Sequence, residues 1–277
     1  YLVRDGASAP KLTGHNRHRR GKDGGKSGGA AGGSFDPAAL AAVRFCLTLF
    51  HSCLKQNKLD GRDEEIKSMV VPFMPLLARC LNLPGASGIV VLAIKCLNAL
   101  IGWGVTAEQP TFFRALSVRL LRLMFQGGGL VNSDTELAQA CMKGLIALFS
   151  AYNGHIAVVE RTKVIAEKHY QLQHSSATHA ALAAAQKEFN ETKTLMPLGD
   201  ENIRALLSLL TVSITDVTAS FQNAAFKLVR EIIETRILVP EIYDLVTKLA
   251  EQIVLSQRKG IRDASSSIVD SFILQYP

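Results

Sequence analysis

Residues 216–277 place three amphipathic helical patterns one after another, with only short breaks between them. Phe221, Ala225, Leu228, Val229 and Ile232 recur at the spacing of one apolar helix face. Thr235 and Arg236 close that helix. Pro240 then stands where a first-turn proline costs nothing, because its missing N–H would have no partner there. Glu241 and Asp244 follow, where negative charge meets the positive end of the helix dipole. Ile242, Leu245, Val246, Leu249 and Ile253 form the second apolar face. A third begins after a break assigned to Gly260 and runs through Ile261, Ala264, Ile268, Phe272 and Ile273. Helix, tight turn, helix is the unit of a repeating helical array, and the remainder of the chain can be tested against it.

Composition agrees. Apolar residues make up 48% of the 277 residues, too many for global disorder, while aromatics make up only 6%. No long run alternates with period two, so the pattern predicts an all-α chain without a sheet.

Upstream, Asp36 and Pro37 open a helix expected to reach about residue 57, with Leu40, Val43, Cys46, Leu47, Leu49 and Phe50 inward. Leu59-Asp60-Gly61 is a turn, and 62–82 is the partner helix, which Pro72 and Pro75 should bend. Residues 87–103 and 108–126 form the next pair. Gly127-Gly128-Gly129 is a loop, and Ser133-Asp134-Thr135-Glu136 is a capping box opening a helix expected to reach Tyr152. The rhythm resumes at Leu198-Gly199-Asp200, with Ile203, Leu206, Leu207 and Leu210 facing in. About nine helices result.

A weak internal repeat supports this division: a small residue, an apolar residue four on, and another three further. It is met by Ala42, Cys46, Leu49, by Ala93, Leu97, Leu100, by Cys141, Leu145, Leu148, and by Ala225, Val229, Ile232. A last copy, Ala264, Ile268, Ser271, departs at its third place. The spacing predicts an α-solenoid of HEAT- or armadillo-like antiparallel helix pairs, whose units run to roughly 40–47 residues. Four segments follow: a basic, Gly-rich linker over 1–34, helix pairs over 35–152, an Ala- and His-rich, partly helical surface insertion over 153–196, and helix pairs over 197–277 that continue a longer array. The last expectation rests on Ile268, Phe272 and Ile273, an apolar stripe with no following partner.

The net charge of +7 is concentrated at the start, where Arg4, Lys11, Arg17, Arg19, Arg20, Lys22 and Lys26 face only Asp5 and Asp23 within 1–30. Segment 1–34 is expected to be disordered and to touch RNA phosphates without sequence preference. GKDGGKS at 21–27 imitates a phosphate-binding loop, but its first glycine would have to be residue 20, which is Arg20, and no apolar strand precedes it. Within the helical part, Arg114, Arg119 and Arg122 offer cations on one helix, and Arg258, Lys259 and Arg262 cluster beside Gly260, alongside Gln257. Together with Arg17, Arg19, Arg20, Lys22 and Lys26 these are the candidate RNA or partner contacts.

Signals for chemistry are weak. Five cysteines, Cys46, Cys53, Cys80, Cys96 and Cys141, lie far apart within apolar helical patterns, which predicts buried reduced thiols in an intracellular protein. His169, His174 and His179 are five apart and spread around a helix instead of converging on a metal. No serine sits on a strand–turn–helix elbow. Glu64-Glu65 reads as a complement to a helix dipole. The best apolar run, 89–105, is interrupted by Lys95 and Asn98 and reads as a core helix instead of a membrane span. No enzyme, cofactor, small-molecule substrate or membrane partner is expected.

The segment RILVPEIYDLVTKLAEQIVLSQRKGIRDASSSIVDSFILQYP, 236–277, resembles the Down-regulated-in-metastasis family. These giant HEAT-repeat proteins are associated with small nucleolar RNA as component twenty of the small-subunit processome. The resemblance lies in Leu238, Val239, Pro240, Glu241 and Ile242, in Ser256-Gln257, and in the closing Phe272, Leu274, Tyr276 and Pro277. IRALLSLLTVSITDVTASFQNAAFKLVREII upstream, and VVPFMPLLARCLN with VLAIKCLNALIGW, are similar to preceding repeats, so that about 62–150 and 198–277 are covered. Residues 153–196 and the Gly-rich start lie outside it. The resemblance implies a non-catalytic scaffold in the nucleolus, bound to pre-ribosomal proteins and to precursor rRNA or small nucleolar RNA. A HEAT-repeat adaptor for nuclear transport is a different expectation, disfavoured by the lack of acidic runs. The helical arm of a large regulatory enzyme is another, and a catalytic module elsewhere in the gene would mark it.

Overall fold

A computed structural model describes residues 36–104, 110–126, 135–216 and 219–276. Segment 1–34, with its five candidate contacts Arg17, Arg19, Arg20, Lys22 and Lys26, lies outside them, as do the Gly127-Gly128-Gly129 loop and the capping serine Ser133. The described residues contain helices and turns and no strand.

The described residues form eleven α-helices: α1 (Pro37–Lys55), α2 (Glu64–Val70), α3 (Met74–Cys80), α4 (Ser87–Ile101), α5 (Pro110–Gln126), α6 (Thr135–Leu172), α7 (Ser176–Thr194), α8 (Asp200–Asp216), α9 (Ala219–Glu234), α10 (Pro240–Leu255) and α11 (Lys259–Gln275). The excess over nine has two causes. Pro72 lies inside a 3₁₀ turn, Val71–Phe73, and Pro75 in the first turn of α3, so the expected single helix over 62–82 is two short ones. Segment 153–196, expected to interrupt the pattern, is itself almost wholly helical. α6 does not stop at Tyr152 but runs through Gly154 to Leu172, and α7 folds back on it.

Local chemistry sets the ends. Asp36 Oδ1 accepts the Ala38 N–H at 3.0 Å, and Pro37 fills the first turn of α1. α1 closes with Asn57 in the left-handed region (φ 52°), its N–H donating to Leu54 O while Lys58 N–H donates to Cys53 O. That pair satisfies two carbonyls a helix end otherwise leaves open. Asp63 caps α2 in the same way as Asp36 caps α1. The break before α11 falls at 256–258, with Gly260 already inside the helix, because Pro240 and Ser256, not the glycine, bound α10.

The helices pack in succession. α4 lies against α1, α3 and α6; α6 lies against α4, α5 and α9; α9 lies against α6, α8 and α11; α10 joins α8 and α11. One contiguous core runs through them, from Leu47 to Ile268. α4 is apolar on most sides because neighbours cover it on several. In the repeat pattern, Ala93, Leu97, Leu100, Cys141, Leu145, Leu148, Ala225, Val229 and Ile232 are all buried. The first copy is not: Ala42, Cys46 and Leu49 are exposed, as is Val43, whereas of the residues expected inward on α1 Leu47 is buried and Leu40 and Phe50 are half-buried against the core, joined by Leu54. Among the described residues α1 packs closely on one helix, α4, which covers only a narrow stripe of its broadly apolar surface.

Among the described residues two helices are long and apolar enough to cross a membrane by length and composition, α1 and α6. The expectation drawn from 89–105 overlooked both. The first half of α6 is core, from Ala138 to Tyr152, whereas α1 is largely exposed.

Candidate nucleic-acid and partner interface

α5 buries Phe113, Leu116, Leu120, Leu121 and Met124, which leaves its arginines at the edges of the buried face. Arg119 is only partly exposed. Its Nη2 donates to the carbonyl oxygen of Leu81, the residue that caps α3, at 2.8 Å. A cation at a helix C-terminus meets both an open carbonyl and the negative end of the dipole. Burial, then the neighbouring Arg122, weakens the hold of the Arg119 guanidinium on its proton. Arg119 is therefore a helix cap and no longer a free phosphate ligand. Arg122 and Arg114 are exposed, without a carboxylate partner among the described residues. Arg114 lies over Gly199, where a Cβ would come within 3.6 Å of its Nη2.

The second cluster divides in the same manner. Arg262 Nη1 donates to Ser256 O at 2.9 Å, and Ser256 is the residue that caps α10. Arg258 and Lys259 are exposed at the start of α11, whose first turn holds no acidic residue. Two cations there oppose the helix dipole, and an anion bound beside them would relieve both. Two of the six predicted cations in the described residues are thus internal caps, and four, Arg114, Arg122, Arg258 and Lys259, remain available. Gln257 is exposed beside them.

A junction that the sequence pattern missed lies where α6 and α7 meet the α9–α10 corner. Arg236 has φ 57°, a left-handed conformation that glycine usually takes at a helix end. Its Nε donates to Gln275 Oε1 at 2.7 Å and its Nη1 to Glu160 Oε1 at 3.0 Å. One side chain thereby joins the α9–α10 turn, the end of α11 and the middle of α6. Beneath it is a cavity of about 410 Å³, lined by Tyr152, Ile156, Phe189, Lys193 and Met196 among others. Nearby, Asn153 Nδ2 donates to Glu231 O and Oε2 at 2.9 and 3.0 Å. Burial raises the Glu231 carboxyl above its ordinary range in spite of that hydrogen bond. At the chain end, Tyr276 donates to Ile237 O at 2.8 Å and stacks on Phe272 at 4.5 Å. Half-burial of Phe272 and Tyr276 shows that the stripe expected to be bare is partly covered by the chain's own aromatics, while Ile273 and Leu274 remain exposed.

The expected burial of the thiols holds in part, and the imidazoles lie differently from expectation. Cys96 and Cys141 are buried, and burial pushes each thiol up to about 12. Cys46 is exposed, and Cys53 and Cys80 are half-buried. His174 and His179 do not spread around one helix. The α6–α7 turn brings both edge-on to Tyr170, at 5.1 and 5.7 Å between ring centres. Among the described residues no group of three or more His, Cys, Asp or Glu side chains is placed to hold a metal. Compared with known protein families, the sequence matches no family model.

Proposed function

We propose that this chain is a non-catalytic scaffold segment of a nucleolar pre-ribosomal particle, the small-subunit processome. In this reading it is an α-solenoid of HEAT- or armadillo-like helix pairs that supports precursor small-subunit rRNA processing by binding protein and RNA partners. The particle follows from the resemblance of 236–277 to the Down-regulated-in-metastasis family. The solenoid reading is supported by the succession α4, α6, α9 and α11, in which each helix packs on the one before, with α8 and α10 in contact alongside. The observation that carries the binding role is the set of four exposed cations, Arg114, Arg122, Arg258 and Lys259, without carboxylate partners among the described residues. Each can meet a phosphate, and many modest contacts along an extended surface add up to affinity.

The test is the salt dependence of binding to transcripts of precursor small-subunit rRNA, measured by fluorescence anisotropy. Each cation that contacts a phosphate adds about 0.7–0.9 to the slope of log affinity against log salt. Replacing Arg122, Arg258 and Lys259 together by alanine should lower the slope by about two to three. An unchanged slope would exclude these cations. Failure of the tagged chain to co-sediment with pre-ribosomal particles would exclude the particle.

A further inference from the structure

The second half of α6 and α7 form a two-helix arm. Antiparallel pairing is fixed by Tyr170 against His179 near the turn and by Lys163 Nζ 4.8 Å above the Phe189 ring nearer the base. Beyond Val159 no residue of α6 is buried, and α7 buries only Ala185 and Thr192. The arm's outer face is not an ordinary polar surface. Val158, Ile165 and Leu172 are 60%, 55% and 81% exposed and stand seven residues apart. Seven residues fall only about 20° short of two full turns, so the three lie in one stripe. Arg161 and Lys168 lie three residues beyond the first two, in the same stripe, and both are exposed.

We propose that this stripe docks an acidic amphipathic helix of a protein partner. Helix pairing through heptads places apolar side chains at two positions per repeat. Here one position is apolar and the other is basic, so the complement is a helix with apolar anchors at seven-residue spacing and Glu or Asp between them. Among the described residues the arm's carboxylates pair elsewhere than with Arg161 and Lys168: Glu160 is held by Arg236 at 3.0 Å and Glu167 by Lys163 at 3.6 Å, while Glu191 faces Lys187 on α7. Glu188, also on α7, is the remaining carboxylate of the arm. Charge complementarity also selects against the other occupants. A second copy of the same face would set Arg161 and Lys168 against their equivalents, and a surface made for RNA phosphates would have no use for Val158, Ile165 and Leu172. The stripe spans about 21 Å, enough for two heptads of contact.

The experiment uses the full chain and a labelled helical peptide of about three heptads, with Leu at the anchor positions and Glu between them. Its twin carries Lys in place of each Glu. Anisotropy should show saturable binding of the Glu peptide, at least about tenfold weaker binding of the twin, and a similar loss in Ile165→Asp. The double reversal Arg161→Glu, Lys168→Glu should transfer the preference to the Lys twin, a gain that misfolding cannot produce. Equal binding of the two peptides, or a preference that the reversal leaves unchanged, overturns the proposal. Two further outcomes also overturn it. Self-association in sedimentation that Ile165→Asp abolishes assigns the stripe to a second copy. Binding to phosphatidylserine vesicles without peptide binding, lost in the same variant, assigns it to a lipid surface.

Discussion

The guanidinium of Arg119 on α5 donates to the carbonyl oxygen of Leu81 at the end of α3, across 38 residues of sequence, at 2.8 Å. Arg122, one turn on, has no such partner among the described residues and is exposed. The two therefore separate stability from binding. Arg119→Ala should lower the free energy of unfolding by about 1.5–3 kcal/mol, the range for a hydrogen bond to a charged group. Arg122→Ala should stay within about 0.5 kcal/mol. Urea unfolding of the two variants checks this, and equal losses would contradict the cap.

Arg236 combines a left-handed backbone with two side-chain ties. Arg236→Gly removes the ties and relieves the backbone together, so its net effect should be within about 1 kcal/mol. Arg236→Val removes the ties and places a β-branched residue where it is a steric outlier, at a cost of about 2 kcal/mol or more. Thermal unfolding of both should rank Val well below Gly. Both variants lose the ties, so the reverse order would contradict a left-handed backbone constraint at 236.

Two glycines of α6 should respond to alanine with opposite signs. At Gly144 an added Cβ would come within 2.7 Å of Leu120 Cδ1 and 3.1 Å of Asn98 Oδ1, because α4 and α5 both close on the helix there. Gly144→Ala should destabilise by about 1–3 kcal/mol. At Gly154 a Cβ would meet nothing within 4 Å. Gly154→Ala should stabilise by about 0.5–1 kcal/mol through helix propensity alone. Unfolding midpoints moving the same way would refute the difference in packing.

Glu231 titrates higher in the folded protein than in the unfolded chain, because burial disfavours its charged form. Its stabilising contribution is complete below the unfolded carboxylate range, near pH 4, and falls as pH rises through the folded value. Glu231→Gln keeps an acceptor for Asn153 and removes the charge. The variant should gain stability relative to the wild-type chain as pH rises from 4 to 8, and the two should converge at acid pH. Melting curves across that range test the sign, and a gain confined to acid pH would reverse it.

Helix class and most helix positions were written in local patterns. The 3.6-residue stripes, the Asp36-Pro37 start, the two prolines that divide 62–82 and the Pro240 start depend on neighbours a few residues away. The inward faces of α4, α8, α9 and most of α10 were legible for the same reason, since a helix covered on several sides buries its densest apolar stripe. On α1 that rule held for Leu47 and failed for Val43, Cys46 and Leu49, because only tertiary packing decides which part of a broadly apolar surface meets α4. The path of 153–196 was hidden as well. Its continuity with α6 needs no apolar signal, and its partner α7 is held by few buried side chains. The candidate cations show the division most directly. Sequence spacing determined that Arg119 and Arg122, or Lys259 and Arg262, lie near one another on a helix. Which of them is consumed was decided by the carbonyls of Leu81 and Ser256, open helix ends whose distance from a given guanidinium exists only in the folded chain.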